Sequence, residues 1–358
     1  MRAAKFVLRI ALSLGVSALF VWLSLRNTDV RAVGRNIAAA DPYRVLLYVA
    51  LMLAIHVVRT VRWGILLEPL GHVGFPRLNA ASAVGFMLLI LLPLRLGELG
   101  RPFAIAQPPK GGGVRIPRSG AMASCVVERI VDGIAIGLLG IIALRMLGAS
   151  ASGKYASFAR TASVAVAAGF GGLCVVLVLV VVQHERTLRI ARKLLTPVSP
   201  KLADRAVRMM DDFLGAIHLG SGWKTAAFFA LTVLYWGANG VGLWILTGAF
   251  GIELTALMAA TVLAVQVVGV MVPAGPGMVG TMQYFSAIGI SLFYPAAIEP
   301  GPFADRVAAF ANTFWFLQFG VQVGLGLIFM AASHITVKGL FSTASPEAAA
   351  EASSGAAA

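Results

Sequence analysis

Arg95, Glu98 and Arg101 stand at i, i+3 and i+6 in the stretch Leu91-Leu92-Pro93-Leu94-Arg95-Leu96-Gly97-Glu98-Leu99-Gly100-Arg101. On a helix that spacing lets one carboxylate serve two arginines. The stretch follows an apolar run, Leu78 to Leu92. A charge at membrane depth costs about 2.5–3.5 kcal/mol on insertion scales, so such residues pair with one another or face a wet cavity. Guanidinium forks match phosphate oxygens, and neighbouring carboxylates limit the grip or engage a cationic group. The chemistry indicated is the holding of a phosphate-bearing group inside a membrane. A second cluster, Glu128, Arg129 and Asp132, interrupts the long apolar segment Ser119 to Leu147, with Glu128 and Asp132 one turn apart. It reads either as a salt bridge locking helices together or as the other wall of a polar chamber, and the chamber is slightly favoured. His56, Arg59 and Arg62 fall in the tail of an earlier apolar segment, where snorkelling to the lipid headgroups is the preferred reading.

Elements that break at membrane depth must position these charges. Pro93, Gly97 and Gly100 repeat as Pro273, Gly277 and Gly280 in Val270-Met271-Val272-Pro273-Ala274-Gly275-Pro276-Gly277-Met278-Val279-Gly280-Thr281, which follows a second apolar run, Leu254 to Val272. At nearly matching distances the first copy is followed by Glu128-Arg129-Ile130 and the second by Asp305-Arg306-Val307. Broken backbone is tolerated at that depth only where protein buries it or a cavity lines it. Paired, interrupted hydrophobic segments in two halves point to a transporter-type site built from internal repeats. Pro93, Gly97, Gly100, Pro273, Gly275, Gly277 and Gly280 are therefore expected to form gating hairpins, with Gln283, Asp305 and Arg306 as polar residues of the second half.

Composition limits the class. The chain is 59% hydrophobic and 12% charged, which describes a polytopic membrane protein. Its net charge of +14 comes from basic residues flanking apolar segments, where they orient a membrane protein, so nucleic acid is rejected as a partner. Cys125 and Cys174 lie in apolar runs without metal or redox spacing, and the five histidines are scattered; no metal or cofactor is expected.

The expected architecture is all-α, with about six spans, two re-entrant helical hairpins and an inverted repeat. Spans are read over Phe6 to Leu25, Val45 to Leu67, Ser119 to Leu147, Ala156 to Val182, Lys224 to Leu246 and Phe303 to Ala332. They form one domain over residues 1–340, halved near 150, before an Ala/Ser/Glu-rich tail at 341–358 expected to be disordered. Arg26 to Arg44 reads as a polar connection, and the basic connection His184 to Trp223 as cytoplasmic, with an amphipathic helix around Leu202 to Ile217. Threading the sides puts both termini in the cytoplasm and the hairpins on opposite faces.

Pro93-Leu94-Arg95-Leu96-Gly97-Glu98 with Arg101, then Glu128-Arg129 and Asp132, then the Pro273-to-Gly280 loop, resemble the lysylphosphatidylglycerol synthase transmembrane region, or flippase-like domain, family. The resemblance runs roughly from the first span to the last. It implies a bacterial inner-membrane protein that moves a lipid between leaflets. Members with a soluble aminoacyl-transferase domain carry the aminoacylated lipid outward; none is seen after Ala332 here, which implies a stand-alone member and leaves the lipid open. Carried over at matching positions, Arg95, Glu98, Arg101, Glu128, Arg129 and Asp132 are the expected substrate-binding residues.

The expectation is thus translocation of a polar or anionic lipid headgroup. The partners are membrane lipids, a permitted homodimer and a separate lipid-synthesising enzyme. A secondary transporter of a small solute and a lipid-phosphate-processing enzyme are the alternatives. An enzyme ranks lower because no His nucleophile in a phosphatase setting, Asp-rich metal cluster or Ser/His/Asp arrangement is found.

Overall fold

The computed structural model describes residues 2–26, 28–92, 97–108, 113–147, 155–197, 199–200, 203–204, 207, 210–211, 222–272, 275–333 and 335, with side chains from residue 14 onward. Pro93 to Arg95, Pro273, most of the stretch Leu202 to Ile217, and the tail lie outside these residues.

Six long helices dominate: α1 (Arg2–Leu25), α3 (Pro42–Leu67), α6 (Arg118–Leu147), α7 (Ala156–Val182), α9 (Gly222–Ala249) and α12 (Pro302–Ala332), of 24 to 31 residues. At 1.5 Å per residue each is long enough for a hydrocarbon layer of about 30 Å. Four of them, α3, α7, α9 and α12, also have the apolar composition of a span, while α6 carries Glu128, Arg129 and Asp132 in its middle. The chain is an integral membrane protein.

Between them lie α2 (Val30–Ala38), α4 (Phe75–Leu91), α5 (Gly100–Ile105), α8 (His184–Leu195), α10 (Ala256–Val270) and α11 (Thr281–Ser291). The supposed polar connection after α1 thus holds a helix. Asp29 caps α2 by accepting from the Arg31 N–H, and α2 packs on α12. Asp41 caps α3 in the same way, accepting from the Tyr43 and Arg44 N–H groups ahead of Pro42 at the first position.

The two interrupted runs behave alike. Helix α4, of 17 residues, stops at Leu91; the chain resumes in one 3₁₀ turn from Gly97 and continues as α5, packed back on α4. Helix α10, of 15 residues, stops at Val270; a 3₁₀ turn over Pro276–Met278 leads into α11, packed back on α10. At 1.5 Å per residue α4 and α10 are about 26 and 23 Å long, shorter than the six long helices. Two glycines make these bends feasible. A Cβ on Gly97 would fall on the Leu88 carbonyl, and Gly280 has φ +81°, with its N–H donating to Gln283 Oε1 at 2.8 Å.

The halves interleave across the core: α4 packs on α12, α3 on α9, and α6 on α10. The largest apolar cluster joins Leu243, Leu246 and Phe250 to Val262, Phe310 and Phe314. On the other side α7 lies against α6 through Gly133, Gly137 and Gly140, whose missing side chains admit Phe170, Ala167 and Ser163. Small residues allow such close approach between helices where lipid supplies no hydrophobic drive.

Candidate functional site

Glu128 and Asp132 point the same way because four residues make just over one helical turn. Both meet Arg62 of α3. Arg62 Nη1 donates to Asp132 Oδ1 at 2.6 Å, and Nη2 donates to Asp132 Oδ2 at 2.9 Å and to Glu128 Oε1 at 2.7 Å. The other Glu128 oxygen, Oε2, accepts from Arg101 Nη1 at 2.6 Å. Trp236 of α9 donates its indole N–H to Asp132 Oδ1 at 3.2 Å. Arg62 has no exposed surface at all, so it does not snorkel. Its sequence neighbours gave no sign of this, because its carboxylates lie 66 and 70 residues further along. The result is a closed ionic hub joining α3, α5 and α6.

Arg129 is one residue from Glu128 and therefore turned by about 100° around α6. That rotation takes it out of the hub and into a cavity of about 390 Å³. The cavity lies between the two halves of the sequence. Arg59, Glu98, Arg129 and Asp132 line it from the first half, and Tyr235, Trp236, Trp315, Gln318 and Gln322 from the second. Gly277 and Met278, from the second helix break, complete the wall. Trp315 donates its indole N–H to the Gly277 carbonyl at 2.7 Å, which fastens that break to α12.

Four arginines keep unsatisfied donors or lack a carboxylate partner, and the buried Nε of Arg62 is one such donor despite its two carboxylates. Arg129 forms no ion pair among the described residues. Arg59 lies with its guanidinium 3.0 Å from the centre of the Phe86 ring, and its buried Nε has no hydrogen-bond partner. Arg101 stacks on the same Phe86 at 4.6 Å and on Trp63 at 4.3 Å, with Nε and Nη2 unbonded. Aromatic faces hold the cations in place without consuming their N–H donors. Four arginines, Arg59, Arg62, Arg101 and Arg129, face three carboxylates, Glu98, Glu128 and Asp132, so this set carries an excess positive charge.

A further cavity of about 220 Å³ adjoins the first through Leu89, Glu98, Arg129 and Phe170. Arg101 and Glu128 line its inner end, and Met122, Val126 and Leu173 its outer end. Val126 and Leu173 are also exposed on the apolar flank of α6 and α7. The polar interior is therefore continuous with the exposed apolar flank of α6 and α7.

A family model described as the lysylphosphatidylglycerol synthase TM region matches residues 10–310. The chain belongs to that family. Neither a curated protein nor a solved structure gives a match. Membership of the lysylphosphatidylglycerol synthase TM region family makes this an integral membrane protein related to lipid modification or translocation. The matched span takes in every first-half residue of the chamber, whereas Trp315, Gln318 and Gln322 lie beyond it.

The structure distributes the expected residues unevenly. Glu98, Arg101, Glu128, Arg129 and Asp132 come together, along with Gly97 and Gly277 at the breaks. Arg95, Pro93 and Pro273 are outside the described residues. Gln283 is turned away from the chamber toward Asn312, and it lines a separate cavity of about 250 Å³ with Arg26 and Tyr284. Asp305 and Arg306 sit at the start of α12. Asp305 accepts from the backbone N–H of Asp29 at 2.8 Å, and Arg306 stacks over Phe303. Gly275 donates its N–H to Ser17 of α1 at 2.8 Å, which ties the second break to the first helix. Arg59 and Arg62, read in the sequence as snorkelling, and Tyr235 and Trp236, not singled out there, also lie at this cluster; a single basic or aromatic residue within a span has the same sequence signature whether it faces lipid or a cavity.

Proposed function

We propose that the protein moves the headgroup of a phosphate-bearing lipid between leaflets through the chamber at Arg59 and Arg129. The observation that carries this reading is a cavity between the two halves, bordered by arginines with uncommitted donors and continuous with the apolar flank of α6 and α7. Phosphate oxygens would take the free N–H groups of Arg59, Arg101 and Arg129, while the tails stay in the bilayer outside α6 and α7. Glu128 and Asp132 serve the hub, holding Arg62 and Arg101, and do not contact the headgroup. The hairpins α4–α5 and α10–α11 act as re-entrant gates on opposite faces, and the halves form an inverted repeat that rocks about the site. On this reading the protein is not an enzyme. It resides in a bacterial inner membrane with both termini cytoplasmic, and it takes its lipid from a separate synthesising enzyme.

The test is headgroup movement in proteoliposomes containing labelled anionic phospholipids, with wild type and Arg129→Gln. Because a hydrogen bond to a charged group contributes about 1.5–3 kcal/mol, the variant should move lipid at least about tenfold more slowly. Equal rates in the two proteins, or no movement by wild type, would overturn the proposal. In the latter case solute uptake becomes the next measurement.

A further inference from the structure

Beyond Arg59 the chamber leads into a side cavity of about 160 Å³ between α3, α9, α10 and α12. The two share Arg59, Tyr235, Trp236, Gln318 and Gln322 as walls. A volume of that size has room for a small polar group. Besides the shared walls its polar lining is His56, whose Nε2 is 2.9 Å from Asn79 Oδ1, with Asn239 and Gln266 projecting from α9 and α10.

Gln266 is only 3% exposed, yet its side-chain amide bonds to no other described residue, and the little surface it keeps lies in this cavity. An amide held unpaired within an apolar helix is costly unless something else satisfies it. The neighbouring amides also have spare acceptors. Asn239 uses Nδ2 on the Tyr235 carbonyl at 2.7 Å, leaving Oδ1 without a donor among the described residues. Gln318 donates to the Tyr48 hydroxyl at 2.9 Å, and Gln322 donates to Gln318 Oε1 at 3.0 Å, so the relay ends on the free Oε1 of Gln322. The indole ring of Trp236, pinned through its N–H to Asp132, forms an aromatic wall.

Spare carbonyl acceptors, one unpaired amide and an aromatic face suit hydroxyl groups on a compact ring or chain. The same acceptors and aromatic face could hold an ammonium, so the charge around them decides. The site offers such a cation Arg59 at the entrance, and the carboxylates Glu128 and Asp132 are already bonded to Arg62 and Arg101. Resting on the transport reading above, we infer that the headgroup has two parts: a phosphate seated at Arg59 and Arg129, and an uncharged, hydroxyl-rich polyol seated among Asn239, Gln266 and Gln322.

Lipid retention by the purified full chain, read by native mass spectrometry, tests this directly. Phosphatidylinositol supplies phosphate plus polyol, phosphatidic acid supplies phosphate alone, and lysylphosphatidylglycerol adds ammonium groups. Wild type should retain phosphatidylinositol about tenfold over the other two, since a site built for hydroxyls penalises an analogue lacking them. Gln266→Leu, and independently Asn239→Leu on another helix, both outside the phosphate chamber, should erase that preference while leaving phosphatidic acid retention unchanged. Arg59→Gln should weaken both anionic lipids. Equal retention of the three lipids, preference for lysylphosphatidylglycerol, or an equal loss of both anionic lipids in the leucine variants would overturn the inference. Selective retention without any movement in proteoliposomes would refute transport and leave the subsite standing; movement without polyol preference would do the reverse.

Discussion

Replacing Arg62 by Met removes the one residue that neutralises two carboxylates at once. Asp132 would lose contacts of 2.6 and 2.9 Å and keep only the Trp236 N–H at 3.2 Å, and Glu128 would keep only Arg101. Breaking a buried pair by deleting one partner leaves an uncompensated charge, at a cost of about 3–5 kcal/mol. The double variant Arg62→Met, Asp132→Leu removes both charges of the tighter pair and should recover most of that loss. The assay is thermal unfolding of the detergent-solubilised protein, followed by tryptophan fluorescence. The single variant should melt well below wild type and the double variant between them. If the double variant melts no higher than Arg62→Met alone, the two losses add, Arg62 and Asp132 are energetically independent, and the hub described above is refuted.

At the α6–α7 seam, Gly133→Leu drives a side chain into the space held by Phe170, and overpacking of this kind costs about 1–3 kcal/mol. It should lower the melting temperature and raise the reactivity of Cys125, which lines the adjoining cavity, toward a thiol reagent; unchanged reactivity would count against the seam as the wall of that cavity. Asp305→Ala should leave the Asp29 N–H without its 2.8 Å acceptor and loosen α2, read as faster proteolysis around residues 26–30. Headgroup movement should persist, because Asp305 lies outside the chamber. Loss of movement in a stably folded Asp305→Ala protein would contradict that placement.

Much of the architecture was legible because lipid imposes simple rules. Apolar length located the long helices to within a few residues, as with Phe303 to Ala332 against Pro302–Ala332. Proline and glycine marked both breaks. Glu128 and Asp132 were visible because carboxylates inside a span are rare. What remained hidden was partnership. Arg62 resembles a snorkelling residue until α6 is laid beside it. Asp305 and Arg306 echo Glu128 and Arg129 in sequence, yet they occupy a helix start, where Asp305 meets the backbone of α2. Arg101 also exchanged roles. A continuous helix would have aimed it at Glu98, but the backbone break lets it reach Glu128 on another helix.

The division between hub and chamber bears on how such a protein can evolve. Arg62, Arg101, Glu128 and Asp132 balance one another's charge, so losing any one strands a charge, and the quartet can change only by near-simultaneous substitutions. Asn239, Gln266 and Gln322 stand on three different helices, and none completes another's ion pair. Each can be exchanged singly at small cost to the fold. A lineage can therefore try new headgroups one residue at a time, on a frame that stays fixed.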